Sequence, residues 1–188
     1  MSLIQSSFGI PQSTGNFEVL VRVRDGIYHF WRTSDLVNNR FQWNGPGRLL
    51  DQNGSPILAS GVSGNPAVIQ SYFGEHGNFE LAVPAALNGF YYTSRDNDDP
   101  RLPWGKEIPG DVELVGANLG HIDSVSLIQS NFGTNNNSPY NFEVIVSAGG
   151  GLYQFWRTYD AQNNRFQWNG PIQILDQNGR PVLSSDVS

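Results

Sequence analysis

The sequence repeats itself three times, and this repetition constrains the fold more than any other feature. Ile-Gln-Ser-x-Phe-Gly recurs, and each copy is followed by Asn-Phe-Glu, by an aromatic segment that ends in Arg, and by a Trp. The three Asn-Phe-Glu copies are residues 16–18, 78–80 and 141–143. The period is about 62 residues, which predicts three units at 1–64, 65–124 and 125–188.

Each unit has the pattern of short β-strands. Hydrophobic residues alternate with others over 17–23, and this period of two is typical of a strand. Asp25-Gly26 predicts a turn into an aromatic strand over 27–32, and a further strand is expected over 40–43, with Asn44-Gly45-Pro46 breaking it. The Asn-Gly pairs in 52–54 and 177–179 suit tight hairpin turns. With 12% aromatic and only 15% charged residues, the composition also favours strands and turns over solvent-facing helices.

About four strands per unit predict an all-β chain of β-propeller blades, each with four antiparallel strands. A β-trefoil and a β-sandwich are the main alternatives, and the long period argues against the trefoil. Propellers close with about four to eight blades, so three blades leave two faces uncovered. We expect closure by self-association, with six blades from a homodimer as the simplest ring. The alternative is that the chain is a piece of a longer array.

Several of these phrases together resemble a known family. Ile-Gln-Ser-x-Phe-Gly, Asn-Phe-Glu-Val, Phe-Trp-Arg and Trp-x-Gly-Pro, in this order, are similar to the blades of bacterial β-propeller lectins of the Photorhabdus type. Tachylectin-like propellers are more distant relatives in architecture. The resemblance covers all three units and implies binding of fucose or galactose-type sugars in pockets in or between blades, without catalysis. Members of that family are usually seven-bladed single chains, and 188 residues cannot supply seven blades of this length.

Sugar binding needs an apolar plate for the C–H face of the ring and fixed polar groups for its hydroxyls. Aromatic and Arg residues at repeated positions provide both, and the candidate residues are Trp31, Arg32, Trp43, Tyr92, Arg95, Trp104, Trp156, Arg157 and Trp168. The alternative is that the Trp residues pack one blade against the next while Arg pairs with Glu. Ser94 stands where the other units have Trp31 and Trp156, so we expect sites with units one and three rather than unit two. If the Trp were a packing residue, Tyr91 or Tyr92 would have to compensate.

The repeated Glu residues raise the question of catalysis. Glycosidases need two carboxyl groups roughly 5–10 Å apart, whereas Glu18, Glu80 and Glu143 are spread by the repeat. We therefore expect them to bond to a neighbouring Arg or backbone N–H. The predicted function is a multivalent, non-enzymatic lectin for glycans or cell-surface sugars. A protein-interaction scaffold and, less favoured, a glycoside-processing enzyme are the alternatives.

Other partners and cofactors are not expected. With 11 Lys and Arg against 17 Asp and Glu, a nucleic-acid partner is disfavoured. There is no Cys, the three His occupy unrelated positions, and Asp96–Asp99 lacks the Gly and the distant Glu of an EF-hand and is interpreted as a solvated turn. Neither a signal peptide nor a membrane-spanning run is recognisable. We thus expect a soluble protein without a metal or cofactor, whose location is open and which would meet extracellular glycans if released.

Overall fold

The computed structural model describes residues 1–7, 15–24, 26–35, 40–106, 108, 110–130, 141–160 and 165–183. They form three four-stranded antiparallel sheets, each with its strands side by side in chain order. Sheet 1 contains β1 (Ser2–Gln5), β2 (Phe17–Val23), β3 (Gly26–Asp35) and β4 (Arg40–Arg48). Sheet 2 contains β5 (Ala67–Gln70), β6 (Phe79–Pro84), β7 (Phe90–Arg95) and β8 (Glu113–Val115). Sheet 3 contains β9 (Ser124–Ser130), β10 (Asn141–Ala148), β11 (Gly151–Asp160) and β12 (Arg165–Gln173).

The prediction of an all-β chain with four antiparallel strands per unit is confirmed. The one helical element among the described residues is a short 3₁₀ turn, Ala117–Leu119. No helix in the described part of the chain is long and apolar enough to cross a membrane.

The three sheets share one register, because the repeated residues pair in the same way. The Phe of each Asn-Phe-Glu stands opposite the Arg of the next strand, in the pairs Phe17–Arg32, Phe79–Arg95 and Phe142–Arg157. Since side chains alternate along a strand, this Phe and Arg share one face and the following Glu lies on the other. We call the face with the Phe the front and the face with the Glu the back.

Two polar turns close equivalent hairpins after the last strands of sheets 1 and 3. The Oδ1 atom of Asp51 accepts hydrogen bonds from the backbone N–H groups of Asn53 and Ser55, at 2.8 and 2.7 Å. Gly54 has a φ of 80°, which glycine adopts without strain. Asp176 and Gly179 repeat this arrangement, so the predicted Asn-Gly turns are confirmed.

The expected break at Asn44-Gly45-Pro46 is wrong, since β4 continues through these residues to Arg48. A register shift opposite His29 and Trp31 absorbs the proline as a bulge in an edge strand, where no N–H is needed. Gly45 has a φ of 102°, and a Cβ there would lie 2.7 Å from the carbonyl oxygen of His29. The same irregularity recurs at Gly170, so the motif is a built bulge and not a strand end.

The sheets pack face to face in chain order, the back of one against the front of the next. Between sheets 1 and 2, buried side chains of the first back and the second front form one hydrophobic core, with Leu20 and Ile27 against Phe79, Leu81 and Val83. A second core joins sheets 2 and 3 in the same way, with members that include Ala82, Phe90, Tyr92, Phe142, Val144 and Phe155. Sheet 2 is covered on both faces, which is why every residue of β6 is buried.

The first strands of successive sheets adjoin, β1 with β5 and β5 with β9. Stacked four-stranded sheets with neighbouring first strands are the blade-like arrangement that the repeats predict. The front of sheet 1 and the back of sheet 3 carry exposed hydrophobic side chains, among them Leu3, Phe41, Trp43, Ile128 and Ile172.

Candidate functional site

The repeated Glu is hydrogen-bonded to side chains of its own unit, and in sheets 1 and 2 it is buried. Glu18 lies 2.6 Å from Nε2 of His29 and accepts a hydrogen bond from the Ser6 hydroxyl at 3.1 Å. Glu80 accepts from the hydroxyls of Tyr92 and Ser71, at 2.6 and 2.8 Å. The expectation of an Arg or backbone N–H partner missed these bonds.

In every sheet, the residue of the neighbouring strand that bonds to this Glu occupies the same register position. In sheet 3 it is Gln154, whose side-chain amide donates to Glu143 at 2.8 Å. This position holds His29 in sheet 1 and Tyr92 in sheet 2, so the carboxylate is constant while its partner varies. Burial, with Glu80 as a further cause, raises the pKa of Tyr92 well above its ordinary value. The Tyr92 phenol therefore stays a hydrogen-bond donor at neutral pH.

The first pocket, pocket 1, opens between the back of sheet 1 and the front of sheet 2. Its volume is about 290 Å³, and the walls facing each other carry Trp31 and Trp104. The indole of Trp31 lies beside the imidazole of His29, with ring centroids 5.3 Å apart. Gly47 lies in the floor, where a Cβ would be 3.6 Å from the Trp31 ring. Two aromatic planes and the Glu18–His29 pair thus surround one space.

Positive charge dominates pocket 1. Its lining includes Arg48, Arg95 and Arg101 against a single carboxylate, Glu18. Arg101 is paired with Asp99 at 3.0 Å. Burial lowers the pKa of Arg95 to about 10, although Glu18 acts in the opposite direction, and Arg95 remains protonated at neutral pH. A desolvated guanidinium in a pocket wall favours ligand oxygens that accept hydrogen bonds.

Arg95 is also held in place by its own sheet. Its Nε donates to Oδ1 of Asn97 at 2.7 Å, and its guanidinium lies 4.0 Å from the centroid of the Phe79 ring. This fixed orientation is what a binding group needs, since little side-chain entropy is then lost on binding.

The second pocket, pocket 2, occupies the equivalent place between sheets 2 and 3, with a volume of about 310 Å³. The back of sheet 2 supplies Glu80, Tyr92 and Ser94, and the front of sheet 3 supplies Phe142 and Arg157. Ser94 stands where sheet 1 has Trp31, and neither Tyr91 nor Tyr92 takes over that position, since Tyr92 corresponds to His29. The space beside Ser94 belongs to the pocket.

Arg157 lies between two aromatic rings, each with its centroid 4.5 Å from the guanidinium carbon: Tyr92 of sheet 2 and Phe166 of its own sheet. Its Nη1 donates to the Tyr92 hydroxyl at 3.1 Å, and Nη2 lies 3.9 Å from the carboxylate of Glu113. Its buried Nε has no hydrogen-bond partner among the described residues. An unsatisfied donor in a pocket wall is a group that a ligand acceptor would stabilise.

Pocket 2 is lined by acidic groups that pocket 1 lacks. Asp98 accepts from the backbone N–H groups of Glu75 and His76, at 2.7 and 2.9 Å, and lies 2.7 Å from the imidazole of His76. These bonds hold the pKa of Asp98 below its ordinary value. Asp96 pairs with Lys106 at 2.7 Å. The segment predicted to be a solvated turn thus also lines a pocket through Asp96 and Asp98. No group of three or more potential metal ligands occurs in the described part of the chain.

The structure divides the candidate residues between the pockets and other surfaces. Trp31, Arg95 and Trp104 line pocket 1, and Tyr92 and Arg157 line pocket 2. Trp168 packs against Tyr92, with centroids 5.2 Å apart, and donates to Glu113 at 3.1 Å. Arg32 and Trp43 lie on the front of sheet 1, and Trp156 lies on the back of sheet 3, outside both pockets.

Several lining residues were missed from the sequence. Arg101, Leu102, Asp96 and Asp98 come from residues 96–102, between β7 and Trp104, where the sequence does not follow that of the other units and therefore gives no repeat signal. His29 could have been found, because it lies two residues before Trp31 on the same face of a predicted strand.

Comparisons with protein-family models, with curated proteins and with solved structures give no match. The likeness to the β-propeller lectins therefore stays a prediction.

Proposed function

We propose that this chain is a multivalent carbohydrate-binding protein that holds one sugar unit in each junction between successive sheets. Its sheets would be the blades of a propeller, closed as a six-bladed ring by a homodimer. The observation that carries the proposal is that two successive junctions each form a pocket at the equivalent place, lined by aromatic rings and fixed polar groups.

The chemistry of pocket 1 suits a pyranose. Trp31 and Trp104 offer π-faces to the polarised C–H groups of a sugar ring. Arg95 and Glu18 offer a donor and an acceptor for neighbouring hydroxyls. The pocket volume lies near the lower end of ligand sites, at about 300 Å³, which favours one sugar unit over a long oligosaccharide.

Repetition would compensate for weak single sites. A millimolar dissociation constant corresponds to about 4 kcal/mol, which is too little to hold a glycan alone. Several sites on one rigid body can engage a glycan-coated surface together and raise the apparent affinity about 10²-fold or more. The proposed partners are accordingly glycans that display many copies of one terminal sugar.

The test is calorimetry with millimolar monosaccharides, fucose and galactose first, together with a glycan array. We expect weak saturable binding of at least one sugar, and agglutination of cells that free sugar inhibits. Absence of binding across the panel would overturn the proposal, and agglutination that no sugar inhibits would favour a protein-interaction scaffold.

A second candidate, glycoside processing, is favoured by one observation: Glu80, Asp96 and Asp98 line the same pocket. A general acid, however, needs a raised pKa, and the pKa of Asp98 is lowered by its hydrogen bonds. We therefore propose binding without catalysis at pocket 2. Turnover of chromogenic glycosides by the wild type, abolished in Glu80→Gln, would reverse this choice.

A further inference from the structure

The front of sheet 1 leaves exposed the residues whose counterparts in sheet 2 are buried. Leu3 of β1 is 59% exposed, whereas its counterpart Val68 of β5 is 3% exposed. Trp43 is 51% exposed, whereas its counterpart Trp104 is 3% exposed. The front of sheet 1 therefore has the side chains of an inter-sheet contact without the neighbouring sheet.

The back of sheet 3 shows the matching pattern. It is equivalent to the back of sheet 1, which covers the front of sheet 2, and equivalent residues of the two sheets are 125 positions apart. Leu58, in the core between sheets 1 and 2, is 8% exposed, and its counterpart Leu183 is 46% exposed. Three more buried residues of that core have half-buried apolar counterparts on sheet 3: Leu20, Ile27 and Leu49 correspond to Ile145, Leu152 and Ile174. The two end faces thus repeat the two halves of a contact that the chain already makes.

We infer that the occupant of both faces is a second copy of this chain, docked head to tail, with the back of sheet 3 on the front of sheet 1. This inference rests on the ring of the proposed function and adds the polarity of the contact. Back against front is the arrangement of both junctions inside the chain. The two faces also carry opposite charges, since the back of sheet 3 has Glu143 and the front of sheet 1 has Arg32.

The junction completes a further binding pocket that neither copy forms alone. Glu143, Gln154 and Trp156 occupy on sheet 3 the positions of Glu18, His29 and Trp31 in pocket 1. The opposite wall, formed in pocket 1 by Arg95 and Trp104, comes from Arg32 and Trp43 of the second copy. Each chain in a closed ring then has one sugar site more than the two pockets within it.

Sedimentation tests the junction without any sugar. We expect the wild type to have twice the 20.8 kDa of one chain. Leu3→Asp on the front and Ile128→Asp on the back place a charge on an exposed position of each face. Each should weaken association about 100-fold, while Leu87→Asp, in the exposed β6–β7 turn, should leave the dimer intact.

A mixture of the two variants shows which faces of the two copies are in contact. A head-to-tail junction uses one front and one back, so Leu3→Asp and Ile128→Asp chains, each a monomer alone, should form a mixed dimer through their unaltered faces. A wild type with the mass of one chain would overturn the inference. The inference would also be overturned if Leu3→Asp alone were a monomer while Ile128→Asp alone stayed a dimer, because the contact would then be front to front.

The composite pocket is tested separately, by comparing the sugar stoichiometry of the wild-type dimer with that of two variants in the lining of this pocket. Trp156→Ala and Arg32→Ala should each remove one sugar site per chain and leave pockets 1 and 2 filled. A dimer whose sugar stoichiometry neither variant changes would overturn the composite pocket. If the dimer forms and no sugar binds at all, the proposed function fails while the head-to-tail junction stands.

Discussion

Replacing Trp31 by Ala separates a binding role of this residue from a packing role. Trp31 is half-buried on the back of sheet 1, beside His29, and faces Trp104 across pocket 1. Sheet 2 forms the same strand pairing with Ser94 at the equivalent position. The sheet therefore does not depend on an indole at this position, and we expect Trp31→Ala to fold.

The loss of sugar affinity can be estimated from what the indole offers. An aromatic stacking geometry contributes about 0.5–1.5 kcal/mol, and the apolar area lost from the contact contributes roughly 1 kcal/mol more. A total of about 2 kcal/mol corresponds to a dissociation constant about 30-fold higher. A millimolar site would then no longer be detected at millimolar sugar.

Calorimetry of wild type and Trp31→Ala should therefore show one site fewer per chain in the variant. Circular dichroism and thermal unfolding report whether the fold is kept. Tyr72→Ala is the matched control, because Tyr72 is an exposed aromatic side chain outside both pockets. An unchanged sugar affinity in Trp31→Ala would refute the reasoning, and an unfolded variant would show that Trp31 is a packing residue.

Three further outcomes are expected. Arg157→Ala should weaken binding at pocket 2 about 10- to 100-fold in titrations, because a charged hydrogen-bond donor contributes about 1.5–3 kcal/mol, and unchanged binding would remove Arg157 from the site. In urea unfolding, Trp104→Ala should lower the free energy of unfolding by about 3–5 kcal/mol and Trp43→Ala by far less in dilute protein, since Trp104 is buried and Trp43 is exposed; equal losses would contradict this difference in burial. The pKa of Asp98 is lowered in the folded chain, so its contribution to stability is complete above the ordinary pKa of about 4 and is lost as the pH falls below it. The stability difference between wild type and Asp98→Asn should shrink as the pH falls from about 4 towards 2, whereas a constant difference over this range would show that Asp98 is not held as described.

The strands could be predicted because each leaves a local signal. Alternation over Phe17–Val23 and the shared register of the repeats follow from side-chain period and spacing. The bulge at Gly45 could not be predicted in this way. A proline is tolerated next to this bulge only because β4 is an edge strand, and the position of a strand at the edge is a property of the assembled sheet.

Burial was harder to predict, because each junction buries the back of one sheet as well as the front of the next. Glu18 is one of the residues that alternate with the hydrophobic positions Phe17 and Val19 in β2, yet it is almost completely buried against sheet 2. In a stack of sheets, the face that carries Glu18 is also an interior face. The Glu18 carboxylate is therefore hydrogen-bonded to Ser6 and His29 instead of to water.

The candidate pockets could be predicted only in part, since each combines residues from two units. Trp31 and Trp104 were recognisable separately as repeated aromatics, but their meeting depends on how one sheet lies on the next. Asp96 and Asp98 belong to a segment unique to the second unit, where no repeat identifies their neighbours.

Tryptophan indole N–H signals in a ¹⁵N-labelled chain test the central claim most directly, because the chain has only five Trp residues. During titration with a monosaccharide that binds, the signals of Trp31 and Trp104 should shift together along one saturation curve, identified by their loss in Trp31→Ala and Trp104→Phe. Saturable binding that leaves both signals in place would contradict the assignment of the sugar to the space between the sheets.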